Sequence, residues 1–460
     1  MAAKTNLGGV FTTDLDNKAT SNVFLSTENV VGIIFDTSIV GGLAKALGSE
    51  TTAATTFANG NVVELNTSKD VVAAGIDDTV LAGIAKYHLD SFFSLAGGTQ
   101  RIFVSFMNSD EDTEFEAVEK MQLASGGIIY QIGIWTGKSI ATKGSGDIYT
   151  VDAGNICAKL QSIAEVLGGQ VGVTNYEGNA PLNILLCAPI INEATVELKK
   201  LPDLSGMDYP KVTVLVGQAA TDTVHQLMFA VNHVNETPSF TPVGCVGAAL
   251  GCLAVAPANE SIAHVNSFNL AAVMQEAELG FGNLSDNEEE DGYAETSSFT
   301  NIKTLGYTKR NTYLHKNGFV FLTNYDGLEN SIFFSSDQTL STGDYRSIAR
   351  CRVMHKSRRV VRRALLPRVN SDVEIDTSTG TLSSSVIADF QNLVIEALDI
   401  NMVEPGSSRP QISGRTCTIE ADQNILETDE IKINYSLVPL GVTSVINVTE
   451  GFTSTISSNS

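Results

Sequence analysis

The chain carries little charge for its length. Only 18% of residues are Asp, Glu, Lys or Arg, and 52 acids against 29 Lys and Arg leave a formal net charge of -23. So acidic a balance argues against a nucleic-acid binder, because phosphate would be repelled over nearly the whole surface. No stretch reaches the ~18 uncharged apolar residues that span a bilayer. The opening MAAKTNLGGVFTTDLDNKAT lacks the apolar core of a leader peptide, so the expectation is a cytoplasmic protein without membrane insertion. The cysteines (157, 187, 245, 252, 351 and 417) form no CxxC and no Cys/His pair at ligand spacing, and read as reduced core residues. GxSxG, HExxH and GxGxxG are also missing. Gly137-Lys138-Ser139 follows a strand pattern, but Ile132 stands where a phosphate loop needs its first glycine. The histidines are dispersed, with His225 and His233 eight apart rather than three or four. SDEDTEFE (109–116) and DNEEED (286–291) lack the alternating ligands and central glycine of a calcium loop, so they read as solvated or partner-facing. No cofactor, metal or catalytic site is expected.

What is present is apolar pattern. At 43% hydrophobic, 460 residues can fill two or three cores, and 39 glycines favour turns and strand edges over long helical bundles. VFLSTENVVGIIFDTS reads as strand. TVLAGIAKYHLDSFF places Leu81, Ile84, Ala85, His88 and Phe92 at helical spacing before the strand RIFVSFM. A short helix with Phe115, Val118 and Met121 follows, then strand GIIYQIGIW, helix AGNICAKLQSIAEVLGG, strands LNILLCAPI and KVTVLVG, and a helix around His225–Val231. Continuous apolar strands alternating with helices predict a mainly parallel sheet covered on both faces. Beyond an acidic loop, GFVFLTN, a basic helix, a helix with Val386, Phe390, Leu393, Val394, Ala397 and Leu398, and the alternating EIKINYSLVPLG and TSVINVT suggest a smaller α+β unit. The expected layout is an arm (1–20), an α/β domain (21–275), an acidic linker (276–305), a C-terminal α+β domain (306–440) and a second arm (441–460).

Against the acidic background stands YRSIARCRVMHKSRRVVRRALLPRV (345–369), where eight arginines join His355 and Lys356 without a carboxylate. Helical spacing sets Met354, Ser357, Val360, Val361, Ala364 and Leu365 on one face. Arg352, Lys356, Arg359 and Arg363 lie on the other, flanked by Arg358 and Arg362, and Pro367 closes the helix. Such cations need an acidic partner. The stripe lacks the aromatics of a base-stacking surface, and its apolar side lacks the Trp and Phe of a membrane-lying helix. An acidic protein surface, including another copy of the chain, fits best; a solvated face with internal ion pairs is the alternative.

Taken in order, LGGVFTTDLD, VVGIIFDTS, HLDSFFSLAGGTQRIFVSFM, VGAALGCLAVAPAN, DYRSIARCRVMHKSRRVVRRALL and LETDEIKINYSLVPLG resemble segments of the contractile tail sheath family of bacteriophages and related injection machines. The chain departs from the family pattern in lacking a proline before Gly8-Gly9 and in carrying Phe11 for tyrosine. The resemblance implies a non-enzymatic subunit that stacks as six-start rings, a helical homo-oligomer around an inner tail tube protein, with baseplate and terminator components at its ends. It implies terminal arms that add strands to neighbouring copies, and a contraction that drives the tube through a target envelope. It also implies assembly in a host cytoplasm and residence in a virion tail or injection-particle sheath, with the stripe facing the tube or a neighbour. Two other readings stand beside it: a different self-assembling phage structural protein, and an α/β enzyme of thiolase type, suggested by GCVGAALGCLAV, which would need Cys245 or Cys252 beside a histidine.

Overall fold

The computed structural model describes residues 29–48, 51–77, 80–98, 100–138, 142–143, 149–150, 153–168, 182–188, 201–232, 243–274, 277–282, 299–301, 306–325, 327–328, 330–403 and 409–448. The chain divides into a large unit, Met1–Ser371, and a small one, Asp372–Ser460.

The large unit is built on an eight-stranded sheet of β1 (Val31–Asp36), β2 (Val63–Leu65), β3 (Ile102–Met107), β4 (Gln131–Trp135), β5 (Asn183–Cys187), β6 (Val212–Val216), β7 (Phe319–Thr323) and β8 (Phe333–Phe334). Its order is β8-β7-β6-β5-β4-β1-β3-β2. The six inner strands run parallel, and β2 and β8 close the edges antiparallel. Parallel strands buried on both faces need unbroken apolar runs, and VGIIFD, QIGIW and VTVLV are buried along their whole length.

Two glycines show what covers the faces. A side chain at Gly133 would strike Val246 and Leu250 of α4 (Val246–Val255), while one at Gly32, on the opposite face, would meet Met121 of α2 (Glu116–Ala124) at 2.4 Å. Alongside α2 runs α3 (Ala153–Gly168). Over α4 lies α1 (Val80–Leu95), so close that a Cβ at Gly247 would stand 2.1 Å from the His88 carbonyl oxygen. The small residues of VGAALGCLAV therefore let two helix backbones approach.

The layout differs from the expected one in three places. GFVFLTN is β7, paired with β6 in the main sheet, and the basic helix α5 (Ile348–Leu365) also belongs to the large unit. The chain therefore divides at Ser371 rather than near 276–305: the parallel ladder accepts a strand a hundred residues distant, which local pattern does not reveal. The small unit holds α6 (Ser384–Leu398), β9 (Ile412–Thr418) and β10 (Asn434–Pro439), with β9 and β10 as an antiparallel pair. The expected strand TSVINVT forms no ladder with any described residue through Val448, and a strand needs a neighbour for its backbone groups. The expected arm 1–20 and the acidic run 286–291 lie outside the described residues.

Candidate interaction surface

Helix α5 begins where Ser347 accepts a hydrogen bond from the Arg350 amide (3.2 Å), and Asp337 accepts another from the Ala349 amide (3.2 Å). These caps satisfy donors that the first turn leaves free, worth about 1 kcal/mol for a side-chain cap. A short 3-10 turn at Leu366–Arg368 carries Pro367 and ends it.

The six cations assigned to the stripe do not share one environment. Arg352 is 2% exposed. Its Nη2 donates to Ala256 O (2.7 Å), Leu253 O (3.2 Å) and Asn29 Oδ1 (3.0 Å), and Nη1 donates to Pro257 O (3.2 Å). The expectation that Arg352 faces a partner is thus corrected: its guanidinium closes the C-terminal end of α4, where last-turn carbonyls have no helical partner and the dipole favours a cation. Lys356, Arg358 and Arg359 are half-buried, and the Arg359 guanidinium stacks on Tyr130, 4.4 Å from the ring centroid. Arg362 and Arg363 are exposed, and no ion pair engages either among the described residues. The free basic surface is therefore the last turns of α5. Periodicity assigned Arg352 to the polar face because it weighs a residue by charge alone.

The acidic loop 109–116 is largely committed within the chain. Asp110 pairs with Lys138 (2.6 Å) and Glu114 with Lys159 (2.7 Å), while Asp112 accepts from the amides of Glu116 (2.7 Å) and Ala117 (2.9 Å) at the start of α2. The loop follows β3 at the carboxyl end of the sheet, close to the β1–β4 boundary, where strand order reverses and open α/β sheets commonly hold ligands. Here Asp36, fully buried, accepts from the Ser38 amide, the Ser109 amide, Ser109 Oγ (2.7 Å) and Thr136 Oγ1 (3.1 Å). The carboxylate at the crevice is spent on the fold.

The thiolase-type reading fares poorly on geometry. His88 does lie beside α4, a proximity no local spacing showed. Yet its Nε2 lies 2.8 Å from Val243 O and its Nδ1 accepts from the Gly247 amide at 3.2 Å, so both nitrogens serve the backbone. Burial holds the Cys252 thiol above its ordinary range, and Cys245 is raised by its contact with Cys187 and by burial, the opposite of an activated nucleophile.

In the small unit, Phe390, Val394 and Leu398 bury one stripe of α6, and Arg415 of β9 pairs with Asp399. β9 and β10 make a two-stranded sheet, marginal by itself. Beyond it the chain runs exposed through Val442 (64%), Val445 (66%), Ile446 (79%) and Val448 (80%). The pattern has the β-branched content of a strand but no ladder among the described residues.

The model of the DUF2586 C-terminal domain matches residues 344–457. No curated protein sequence matches the chain. Among solved structures, a chain of the cryo-EM structure of the anti-feeding prophage (AFP) baseplate, 6-fold symmetrised, is similar at a TM-score of 0.51 and 11% identity, covering 98% of this chain and 100% of that one. A chain of the PVC sheath complex of an extracellular contractile injection system, in the contracted state, gives a TM-score of 0.51 and 11% identity over 99% of both. The chain has the fold of these contractile injection system components along nearly its whole length.

Proposed function

We propose that the protein is a structural subunit of a contractile tail sheath, polymerising as a helical tube around an inner tail tube and contracting to drive it through a target envelope. The observation that carries this reading is the end-to-end match to a chain of a contracted sheath complex, covering 99% of both chains and so leaving no large domain unmatched on either side. Two features of the fold support it. The hairpin β9–β10 offers strand edges that no described strand covers, and residues 441–448 form an exposed segment of strand-like composition that pairs with no described residue; the two are complementary under strand addition between copies. The exposed end of α5 supplies cations that suit an acidic tube or an acidic neighbouring copy, and this chain, at -23, is itself such a neighbour. Exposed pairs of this kind are worth ~0.2–1 kcal/mol each, weak enough to break on contraction and numerous enough to hold a lattice. On this reading the chain is not an enzyme and assembles with itself, the tube, and baseplate and terminator components.

The chain expressed by itself and viewed by negative-stain electron microscopy should give long striated hollow cylinders. Closed rings without elongation would favour the second reading, another structural component such as a baseplate part, which the similarity to a baseplate chain supports. Discrete single subunits at high concentration would count against both.

A further inference from the structure

At the N-terminal edge of the main sheet, Gln131 and Asn183 begin β4 and β5 as register partners, and Lys211 immediately precedes β6. The Asn183 amide donates to Tyr130 O (2.9 Å) and the Ile184 amide to Lys211 O (2.8 Å), which brings the three strand starts side by side. Helix α5 crosses this edge. Cys351 Sγ lies 3.4 Å from Pro210 O, and Arg359 stacks on Tyr130. Positions 351, 355, 358 and 359 share one helix face, so Cys351, His355, Arg358 and Arg359 look toward the strand starts.

The side chains gathered there are polar yet sealed. Gln131 is fully buried and Asn183 is 2% exposed. The side-chain amide of Asn183 bonds the Cys351 thiol, but its Oδ1, both side-chain amide atoms of Gln131 and Nδ1 of His355 have no hydrogen-bond partner among the described residues. Native folds seldom leave so many buried polar atoms unpaired in one place, and each such group calls for an explanation. Lys211, Arg358, Arg359 and Arg352 all bear electrostatically on His355, so the corner is cationic as well as unsatisfied. Glu165 is also near Lys211, and Asp337 near Cys351.

We propose that this corner binds a small tetrahedral oxyanion of the phosphate class, held between the amides of Gln131 and Asn183 on the sheet and His355, Arg358 and Arg359 on α5. Hydrogen phosphate both donates and accepts, as the amides require, and its charge answers the surrounding cations. Half-buried Arg358 and Arg359 form the entrance, and the burial of Gln131 and Asn183 favours a free ion over the backbone of a nucleic acid. This site is separate from the exposed cations Arg362 and Arg363 and does not depend on the sheath reading.

The test is thermal unfolding of the full-length protein titrated with inorganic phosphate against chloride at matched ionic strength. The unfolding temperature should rise saturably with phosphate. In Asn183→Leu, and in Gln131→Met as a second, milder variant, the apparent affinity should fall about tenfold or more with the fold retained. Arg362→Ala/Arg363→Ala should leave the titration unchanged. A temperature that does not respond to phosphate, a response that survives in whichever of the two sheet variants folds, or a response lost only with Arg362 and Arg363 would each overturn the site.

Discussion

Replacing Arg352 by methionine tests whether the buried end of the basic helix is a clamp. Its guanidinium is the side-chain donor shared by Leu253 O, Ala256 O and Pro257 O, and it also reaches Asn29 Oδ1. Methionine preserves much of the volume but donates nothing. Pro257 O keeps the Glu260 amide (3.0 Å), but Leu253 O and Ala256 O, left buried without this donor, cost about 1–3 kcal/mol each. The parent, however, bears a desolvation cost for its buried cation that the variant escapes. The balance is a loss of about 3–5 kcal/mol, the range for removing one partner from a buried charged cluster. Arg352→Lys, one charge without the planar fork, should fall between the two. Urea unfolding of the unassembled protein, followed by fluorescence, reads this directly. The single tryptophan, Trp135, is 1% exposed and donates from Nε1 to Val243 O at 2.7 Å, inside the layer that α4 covers. A methionine variant within about 0.5 kcal/mol of the parent, the ordinary scatter of surface changes, would refute the clamp.

Mild acid should weaken the fold through two buried histidines. Burial lowers His88 from 6.5 to about 4 and, with the cations beside it, holds His355 well below 6.5. Both are neutral when folded, so the unfolded chain binds more protons. Their contribution is complete above pH 6.5 and is lost as pH falls from 6.5 towards 4, which unfolding midpoints across that window should show and His355→Asn should flatten. Gly247→Ala, whose new Cβ would stand 2.1 Å from the His88 carbonyl oxygen, should cost at least about 3 kcal/mol by the same measurement. Gly441→Ala, with nothing within 4 Å, should be silent. Arg362→Glu/Arg363→Glu should leave the unfolding curve unchanged yet prevent the tube from guiding assembly in a co-sedimentation assay; normal assembly would remove these arginines from the interface. A chain ending at Leu440 should fold as the parent does and fail to form cylinders; cylinders of normal length would exclude strand donation by that segment.

Much of the large unit is legible in sequence because its strands are buried on both sides. VGIIFD, IFVSFM and VTVLV can be little else, and the helices between them keep a 3.6 period. What pairs with what is not legible. β7 joins β6 across a hundred residues, and β9 (ISGRTCT) hides behind glycine, serine and threonine. The candidate surface was half visible: the concentration of arginine marks α5, but the carbonyls that take Arg352 belong to a helix a hundred residues earlier. Gln131 and Asn183 gave no signal, since a polar residue at the start of a strand looks like an ordinary boundary.

Under the proposed strand addition, the open-edged hairpin and the tail beyond it set the polarity of the polymer they build. A subunit that lends one strand and borrows another is a directed link, so a stack of such subunits has two unlike faces. At one end every terminal copy keeps a vacant edge, and at the other every terminal copy keeps an unspent tail. Growth then has a direction, and the two ends need stoppers of different chemistry: one that supplies a strand and one that offers an edge. Length would be fixed not by the subunit but by whichever stopper arrives last.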